Sequence, residues 1–172
     1  MPSIIKNLDV DKCLRVILQR DGYQLSDELG HGQTGVDILA SKSGEDWHIE
    51  CIGFKSSPPA RAKDFFESFF RAVSRLNDGA VHCVIALPKR FEKGLPARAA
   101  HHGVAWRRLA DIFPELEIWL VDVDGDNLER TRWGEWLERD IPGGPASEET
   151  ILRLREALGD SPDGGGAEAM PR

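Results

Sequence analysis

Hydrophobic and polar positions along this chain follow two different periods, and the change of period marks the predicted elements. Apolar residues recur at helical spacing over residues 9–20, which predicts a first helix with Asp9 or Asp11 as its cap and Gly22 at its end. Residues 60–76 show the same spacing with a broader apolar face, which predicts a second amphipathic helix.

Short apolar runs lie between and after these helices and are typical of strands. Residues 23–28 favour a first strand. Residues 35–40 and 47–55 favour two more, joined by a polar turn at 42–46. Residues 80–87 are almost continuously apolar, as in a buried strand. The order helix, three strands, helix, strand predicts an α/β domain with a mixed central sheet, in which the second helix crosses over to a parallel strand.

The pattern after Pro88 is weaker. Two tryptophans, Trp133 and Trp136, are expected to pack against the core rather than to stack on bases. We expect, in chain order, a short helix over 92–102, a short element over 104–109, a strand over 117–122, a surface-docked segment over 132–139 and a final amphipathic helix over 147–158.

The length of 172 residues favours a single domain over residues 1–158, followed by an acidic, glycine-rich tail over 159–172 that we expect to be disordered. No apolar run approaches a membrane span, and the N-terminus lacks a basic-then-apolar signal segment. The three cysteines lie in apolar contexts without metal-ligand spacing. These features predict a cytoplasmic protein with reduced thiols and no membrane partner.

The net charge of -7 conceals a basic middle. Residues 51–108 contain eleven Lys/Arg and four Asp/Glu, a balance of +7, so the rest of the chain carries -14. Lys89, Arg90 and Lys93 begin its densest basic segment, and we expect them to contact DNA phosphates if they lie beside the open end of the sheet. The alternative is that these charges cluster by chance on solvated helices.

Two acidic residues interrupt the apolar strands at 35–40 and 47–55. Asp37 and Glu50 would come close together at one end of the hairpin, and a carboxylate in an apolar strand needs a partner or a metal. Magnesium binds such sites through one or two carboxylates plus waters and phosphate oxygens. The structural alternative is that each carboxylate accepts hydrogen bonds from the backbone or from a lysine at a strand end.

An Asp after Gly35-Val36, a short hairpin and an apolar strand with Glu50 near its end resemble the restriction-endonuclease-like superfamily, known by its PD-(D/E)XK motif. The resemblance covers roughly residues 5 to 90 and implies the core order αβββαβ. It also implies that Asp37 and Glu50 are the catalytic acids and hold magnesium, with manganese as an alternative, for the hydrolysis of DNA phosphodiesters.

The lysine of the motif is missing, because Ile52 stands in its position. Lys55 would replace it if a bulge at Gly53 turned its side chain onto the Glu50 face. Lys63, one turn into the second helix, is another catalytic candidate, and Lys42 in the hairpin turn is a weaker one. The remaining alternative is that the lysine is lost and the protein is no longer a nuclease.

Four further residues are candidates for the same site. Gln33 and Thr34 precede Asp37 and could reach a phosphate, although both are ordinary turn formers. His48 shares the Glu50 face and is more often a satisfied strand histidine than a ligand. Asp11 would match the first-helix acid of some superfamily members, with helix capping as the alternative.

The segment from Asp122 to Asn127 superficially suggests a calcium loop, but its glycine is one position early and Trp133 stands where the bidentate acid belongs. A turn closing a strand is the better interpretation.

Two functional hypotheses follow. The first is a divergent member of this superfamily that acts on or binds DNA and that, if active, hydrolyses phosphodiesters with magnesium and a displaced lysine. The second is a catalytically inactive module that binds protein or nucleic acid, and both leave a homodimer open.

Overall fold

The computed structural model describes residues 4–28 and 35–142. The chain divides into two units, Met1–Arg139 and Asp140–Arg172, and the fold below is that of the first. The predicted final helix over 147–158 and the tail over 159–172 lie outside the described residues. So do Gln33 and Thr34.

The described residues form four α-helices and six strands. Three short 3-10 helices join them, at Arg75–Asp78, Lys89–Gly94 and Trp133–Leu137. The helices are α1 (Asn7–Arg20), α2 (Pro58–Ser74), α3 (Leu95–His102) and α4 (Val104–Ile112). The strands are β1 (Gln24–Leu25), β2 (Ile38–Lys42), β3 (Glu45–Cys51), β4 (His82–Pro88), β5 (Leu116–Asp122) and β6 (Asn127–Arg132).

The six strands form one mixed, open sheet in sequential order, β1 to β6. Strands β1, β2 and β3 form an antiparallel meander, β3, β4 and β5 are parallel, and β6 returns antiparallel to β5. Both parallel connections run through helices on the same face. When successive parallel strands are neighbours in chain order, right-handed crossovers place their connecting helices on the same face of the sheet. The α/β class and the mixed sheet predicted from the sequence are therefore confirmed.

The sheet separates two hydrophobic cores. On one face α1 packs through Val10, Leu14, Ile17 and Leu18 onto alternate residues of β2, β3, β4 and β5. On the other face α2, α3, α4 and the Trp133–Leu137 helix cover the intervening residues of β3, β4 and β5. Because successive strand residues point to opposite faces, β3 contributes Ile49 to the first core and Glu50 to the second face.

The first helix begins much as its sequence predicts. Asp9 accepts a hydrogen bond from the backbone N–H of Lys6 at 2.8 Å, which satisfies one donor at the helix start. Gly22 follows the helix with a φ of 85°, a value that glycine adopts without strain. The second helix begins two residues earlier than predicted, directly after Ser57.

Two sequence predictions differ from the structure after Pro88. The short helix predicted over 92–102 is a 3-10 helix followed by α3, and the short element at 104 is the nine-residue helix α4. The strand β6 was not predicted, because its sequence Asn-Leu-Glu-Arg-Thr-Arg contains too few apolar residues to mark an edge strand. The Asp122–Asn127 segment is the turn between β5 and β6, as predicted.

The tryptophans after β6 pack inward. Trp133 stacks on Trp106 of α4 with ring centroids 3.9 Å apart, and each indole N–H donates to the other residue's carbonyl oxygen. Trp136 donates to the buried Thr131 hydroxyl at 2.9 Å. Both rings are buried, so the prediction that they pack against the core is confirmed.

Gly53 allows a close approach of two backbone segments rather than a strand bulge. A Cβ at this position would collide with the carbonyl oxygen of Ile5, which pairs with Phe54 in an isolated bridge. The Gly53 N–H donates to the Asn7 side chain at 2.8 Å. The N-terminal segment is thereby fixed against the residues that directly follow β3.

Candidate functional site

The hairpin register brings the two predicted acids to the same end of the sheet. Ile38 of β2 pairs with Ile49 of β3, and one further step along this antiparallel register sets Asp37 opposite Glu50. The structure therefore brings together the two residues on which the metal hypothesis depends. We call Asp11, Asp37 and Glu50 the acid edge.

Asp37 is fixed at both its side chain and its backbone. One carboxylate oxygen accepts the backbone N–H of Cys51 at 2.8 Å, which closes the hairpin beyond its last paired residues. Its carbonyl oxygen accepts a hydrogen bond from Arg15 at 2.8 Å. Arg15, only 9% exposed, also bonds the Asp11 carboxylate at 2.9 Å and the Ser26 carbonyl at 2.6 Å. This buried guanidinium ties α1 to β1 and to the start of β2.

Glu50 is 1% exposed and lies on the α2 face of β3. Its carboxylate accepts a hydrogen bond from Arg75 Nε at 3.1 Å. Arg75 begins the 3-10 helix after α2 and also pairs with Asp78 at 3.2 Å. Asp37 thus accepts the backbone hydrogen bond that the structural alternative describes, whereas Glu50 accepts its bond from an arginine and not from a lysine.

Burial raises the pKa of the Glu50 carboxyl from its ordinary 4.5 to about 7, and the nearby Asp37 carboxylate adds to the rise. Arg75 and Arg71 oppose this effect but do not cancel it. A buried carboxyl loses its hydration, and one arginine that is itself partly solvated does not restore the loss. Glu50 therefore changes its charge close to neutral pH.

Asp11 lies in the same electrostatic environment. Burial raises the pKa of its carboxyl, with further contributions from Asp37 and Glu28, while Arg15 lowers it. Asp11, Asp37 and Glu28 line a cleft of about 330 Å³ between α1 and the end of β3. The first-helix acid of the sequence analysis is therefore at the acid edge, although it is also bonded to Arg15.

The motif position of the missing lysine is part of the core. Ile52 is 4% exposed and packs among the apolar residues beneath α2. Lys55 does not point back to Glu50, since its ammonium forms an ion pair with Asp64 of α2 at 2.9 Å. The bulge that would have turned Lys55 onto the Glu50 face is absent, because β3 ends at Cys51 and Gly53 serves the close approach to Ile5.

The other lysine candidates also lie away from the two acids. Lys63 is an exposed residue of α2 and does not line the cleft that contains Asp11, Asp37 and Glu28. Lys42 ends β2, at the opposite end of that strand from Asp37, and its ammonium donates to the Asp21 carbonyl at 2.6 Å. None of the three predicted lysines contacts either acid within the described part of the chain.

Arg71 of α2 is a cation that sequence reasoning missed. It lines both the Asp37 cleft and the smaller cleft of about 120 Å³ that contains Ile52. It also contributes to the electrostatic field at Glu50. The spacing of Asp64, Glu67 and Arg71, about one helical turn apart, could have indicated that they share one side of α2, and all three line this smaller cleft.

His48 lies on the Glu50 side of β3, as predicted. Burial lowers the pKa of its imidazole, and Arg75 contributes in the same direction. Its Nδ1 is buried and has no hydrogen-bond partner among the described residues. The imidazole is therefore neutral at physiological pH and is not the satisfied strand histidine that the sequence favoured.

The predicted DNA-contacting residues follow β4 at the same edge of the sheet as Glu50, because β3 and β4 run parallel. Lys89, Arg90 and Lys93 are exposed on the 3-10 helix Lys89–Gly94. Its buried Phe91 packs edge-on against Phe54 at 5.2 Å, which fixes this helix beside the end of β3.

Two arginines extend this basic region. Arg61 lies over the Phe54 ring at 4.5 Å and donates to the Lys55 and Ser56 carbonyls. Burial lowers the pKa of Arg98, and Arg61 adds to that effect, so the two guanidinium groups are near each other. We call Arg61, Lys89, Arg90, Lys93 and Arg98 the basic edge.

The acid edge does not fit a resident divalent cation in the described arrangement. Asp37 and Glu50 each have one carboxylate oxygen already hydrogen-bonded, to Cys51 and to Arg75. No cluster of three or more His, Cys, Asp or Glu side chains with metal-binding geometry occurs in residues 4–28 and 35–142. The guanidinium of Arg75 supplies the positive charge beside Glu50 that a metal ion would otherwise supply.

Comparisons with known proteins give no family for this chain. No family profile, no curated protein and no solved structure matches it. In the described residues, none of the helices combines the length and apolar character needed to cross a bilayer.

Proposed function

We propose that this chain is a divergent member of the restriction-endonuclease-like PD-(D/E)XK superfamily that binds DNA without cleaving it. The element order α1, β1, β2, β3, α2, β4 supports this lineage, since it matches the core order that the resemblance implies. The register that sets Asp37 opposite Glu50 supports it as well. The restriction-endonuclease-like fold and the DNA partner are both part of the proposal.

One observation carries the loss of catalysis, namely the ion pair between the buried Glu50 and Arg75. A nuclease of this superfamily needs its second acid free for a metal and a lysine two residues later. In this chain the second acid is bound to an arginine and the lysine position is a buried isoleucine. Glu50, which would hold magnesium, instead pairs with Arg75 at the junction between β3 and the end of α2.

The basic edge supports DNA as the ligand. Lys89 and Lys93 are exposed, and Arg61 and Arg98 are held in place by aromatic rings rather than by carboxylates. Exposed cations that form no ion pair within the described residues remain available for phosphate oxygens. Such contacts fix the position of a duplex and carry no sequence preference of their own.

Fluorescence anisotropy with a labelled duplex of about 20 base pairs tests the binding. We expect Lys89→Gln combined with Lys93→Gln to weaken binding roughly tenfold and to reduce the slope of log K against log salt by about 2. The matched control is Lys12→Gln combined with Arg132→Gln, which removes the same charge from exposed positions elsewhere. An equal loss in both variants, or no binding by the parent chain, would refute the proposal.

A plasmid-nicking assay with magnesium or manganese tests the absence of catalysis. We expect no cleavage, and no heat of magnesium binding by calorimetry. Cleavage that persists in Asp37→Ala and Glu50→Ala would come from a contaminant. Cleavage that both substitutions abolish would overturn the proposal.

One observation favours the competing function, a metal-dependent nuclease. Asp37 raises the pKa of both Asp11 and Glu50, so the acid edge contains mutual repulsion that a bound divalent cation would relieve. In that case Arg71 is the cation best located to replace the missing lysine, ahead of Lys55 and Lys63. Magnesium-dependent nicking that Arg71→Ala removes, while Lys63→Ala retains it, would support this function.

A further inference from the structure

A second cleft, which shares no lining residue with the cleft at the acid edge, lies between the end of α1, the end of β2 and strand β6. It has a volume of about 630 Å³. We call it the cation cleft, and its lining residues are Asp21, Tyr23, Lys42, Leu128 and Arg130. None of these residues has a role in the proposed DNA contact or in the acid edge.

Arg130 is held in the cation cleft by uncharged groups. Its Nη1 donates to the Tyr23 hydroxyl at 2.7 Å. Its guanidinium lies over the rings of Tyr23 and Trp119, at 5.2 and 4.5 Å from their centroids. Aromatic faces attract a cation without neutralising it, so the arginine is oriented and keeps its full charge.

Lys42 is oriented in a similar way. Its ammonium donates to the Asp21 carbonyl at 2.6 Å and lies 5.0 Å from the centre of the Tyr23 ring. Glu45 is its cross-strand partner in the hairpin and would be the expected ion-pair acceptor. The Glu45 carboxylate instead lies 4.0 Å from the His82 imidazole.

The cation cleft therefore contains two positive charges around one tyrosine. Since Lys42 and Arg130 each lie about 5 Å from the same ring centroid, they are at most about 10 Å apart. Among the described residues, neither forms an ion pair with a carboxylate. The one acid that lines the cleft, Asp21, has its carboxylate 3.5 Å from Arg20.

We propose that the cation cleft binds a small phosphorylated ligand, with Lys42 and Arg130 as its phosphate contacts. Two like charges fixed near each other are stabilised by an anion that accepts hydrogen bonds from both, and a phosphate group has enough oxygens to do so. The cleft is open to solvent and leaves room for a ligand larger than inorganic phosphate, such as a sugar phosphate. Leu128 offers the apolar surface for its non-phosphate part.

The occupied Tyr23 ring argues against a ligand that stacks a base there. Tyr23 is 8% exposed, its ring lies under both cations, and Trp47 packs edge-on against it at 5.3 Å. The recognition that the cleft offers is therefore electrostatic and directed at phosphate oxygens. The same chemistry occurs in a DNA backbone, so the test separates the two sources of phosphate.

Calorimetric titration with inorganic pyrophosphate, against sodium chloride of equal ionic strength, tests the site in the full chain. We expect pyrophosphate to bind with a Kd below about 1 mM. Lys42→Gln and Arg130→Gln should each weaken that binding roughly tenfold. The matched control Arg132→Gln, two residues along the same strand and exposed, should leave it within about twofold. The variant Lys89→Gln combined with Lys93→Gln should also leave it unchanged.

Three outcomes would overturn the proposal. The first is the absence of pyrophosphate binding up to about 10 mM. The second is equal weakening by Arg132→Gln, which would indicate only a non-specific charge effect. The third is a loss of duplex affinity in Lys42→Gln without any pyrophosphate site, which would assign the cleft to DNA. Should Arg130→Gln fail to fold, the exposed Lys42 variant decides, since it removes one hydrogen bond to a carbonyl oxygen.

Discussion

The acid edge and the cation cleft carry opposite arrangements of charge. At the acid edge, Asp37 lies near enough to raise the pKa of both Asp11 and Glu50, and Arg15 and Arg75 offset that rise only in part. At the cation cleft, Lys42 and Arg130 are oriented by one carbonyl oxygen, one hydroxyl group and aromatic rings. Protons or cations would reduce the repulsion between the carboxylates, and an anion would reduce the repulsion between the two cations.

The two sites differ in whether the protein itself supplies a charge of opposite sign. Arg75 donates to Glu50 from within the protein, so the acid edge supplies its own counter-charge. No carboxylate among the described residues supplies one to Lys42 or Arg130. A buried ion pair contributes little net stability, because desolvation opposes the attraction, but it is costly to break.

The largest expected effect follows from breaking that pair. Glu50→Ala leaves Arg75 without its buried acceptor and opens a cavity beneath α2, so we expect it to lower the free energy of unfolding by about 4 kcal/mol. Urea denaturation followed by circular dichroism measures the change. A loss below about 1 kcal/mol would mean that Arg75 is solvated and that the acid edge is not closed by it.

The second effect is a dependence of stability on pH. The pKa of Glu50 is raised from 4.5 to about 7, so the folded chain binds this proton more tightly than the unfolded chain. Its contribution is fully present below pH 4.5 and is lost as the pH rises through 7, with an upper limit of about 3 kcal/mol.

Replacing the titrating group tests the assignment. Glu50→Gln keeps an acceptor for Arg75 and should remove most of this slope, while Asp11, whose pKa is raised in the same direction, retains a part of it. Asp37→Asn removes a charge that raises the Glu50 pKa, so the slope should become smaller. A pH profile that is unchanged in Glu50→Gln would assign the titration to another group.

The hairpin that carries both acids was predictable, and their partners were not. Asp37 and Glu50 share an end of the sheet because a short turn fixes the antiparallel register, which sequence spacing encodes locally. Arg75 lies 25 residues after Glu50, and its contact depends on where α2 ends. No local pattern encodes that distance, since it results from the packing of α2 on the sheet.

The elements after β4 show the same limit. The strand β5 was predictable from its apolar run, whereas β6 was not, because an edge strand needs apolar residues on one face only. The cation cleft combines Tyr23, Lys42 and Arg130 from distant parts of the chain. From the sequence alone, these two cations are expected to lie apart on the solvated surface, and only the fold brings them together at the Tyr23 ring.

The third effect concerns Ile52, where the superfamily pattern has lysine. Ile52→Lys introduces an ammonium at a position that is 4% exposed, and we expect a loss of roughly 2 kcal/mol relative to the volume-conserving control Ile52→Met. Because Arg75 still occupies Glu50, the variant should gain no magnesium-dependent nicking. Magnesium-dependent nicking by this variant would show that a lysine at this position is enough for catalysis and that the acid edge can act as a catalytic site.

The smallest effect sharpens the contrast between a buried and an exposed ion pair. Lys55 contacts Asp64 at 2.9 Å, but the lysine side chain is 53% exposed. A double-mutant cycle with Lys55→Met and Asp64→Asn should give a coupling of about 0.5 kcal/mol, weakened further by salt. A coupling above about 2 kcal/mol would mean that this pair is as important as Glu50 with Arg75. Lys55 would then serve mainly to hold α2 against the residues that follow β3.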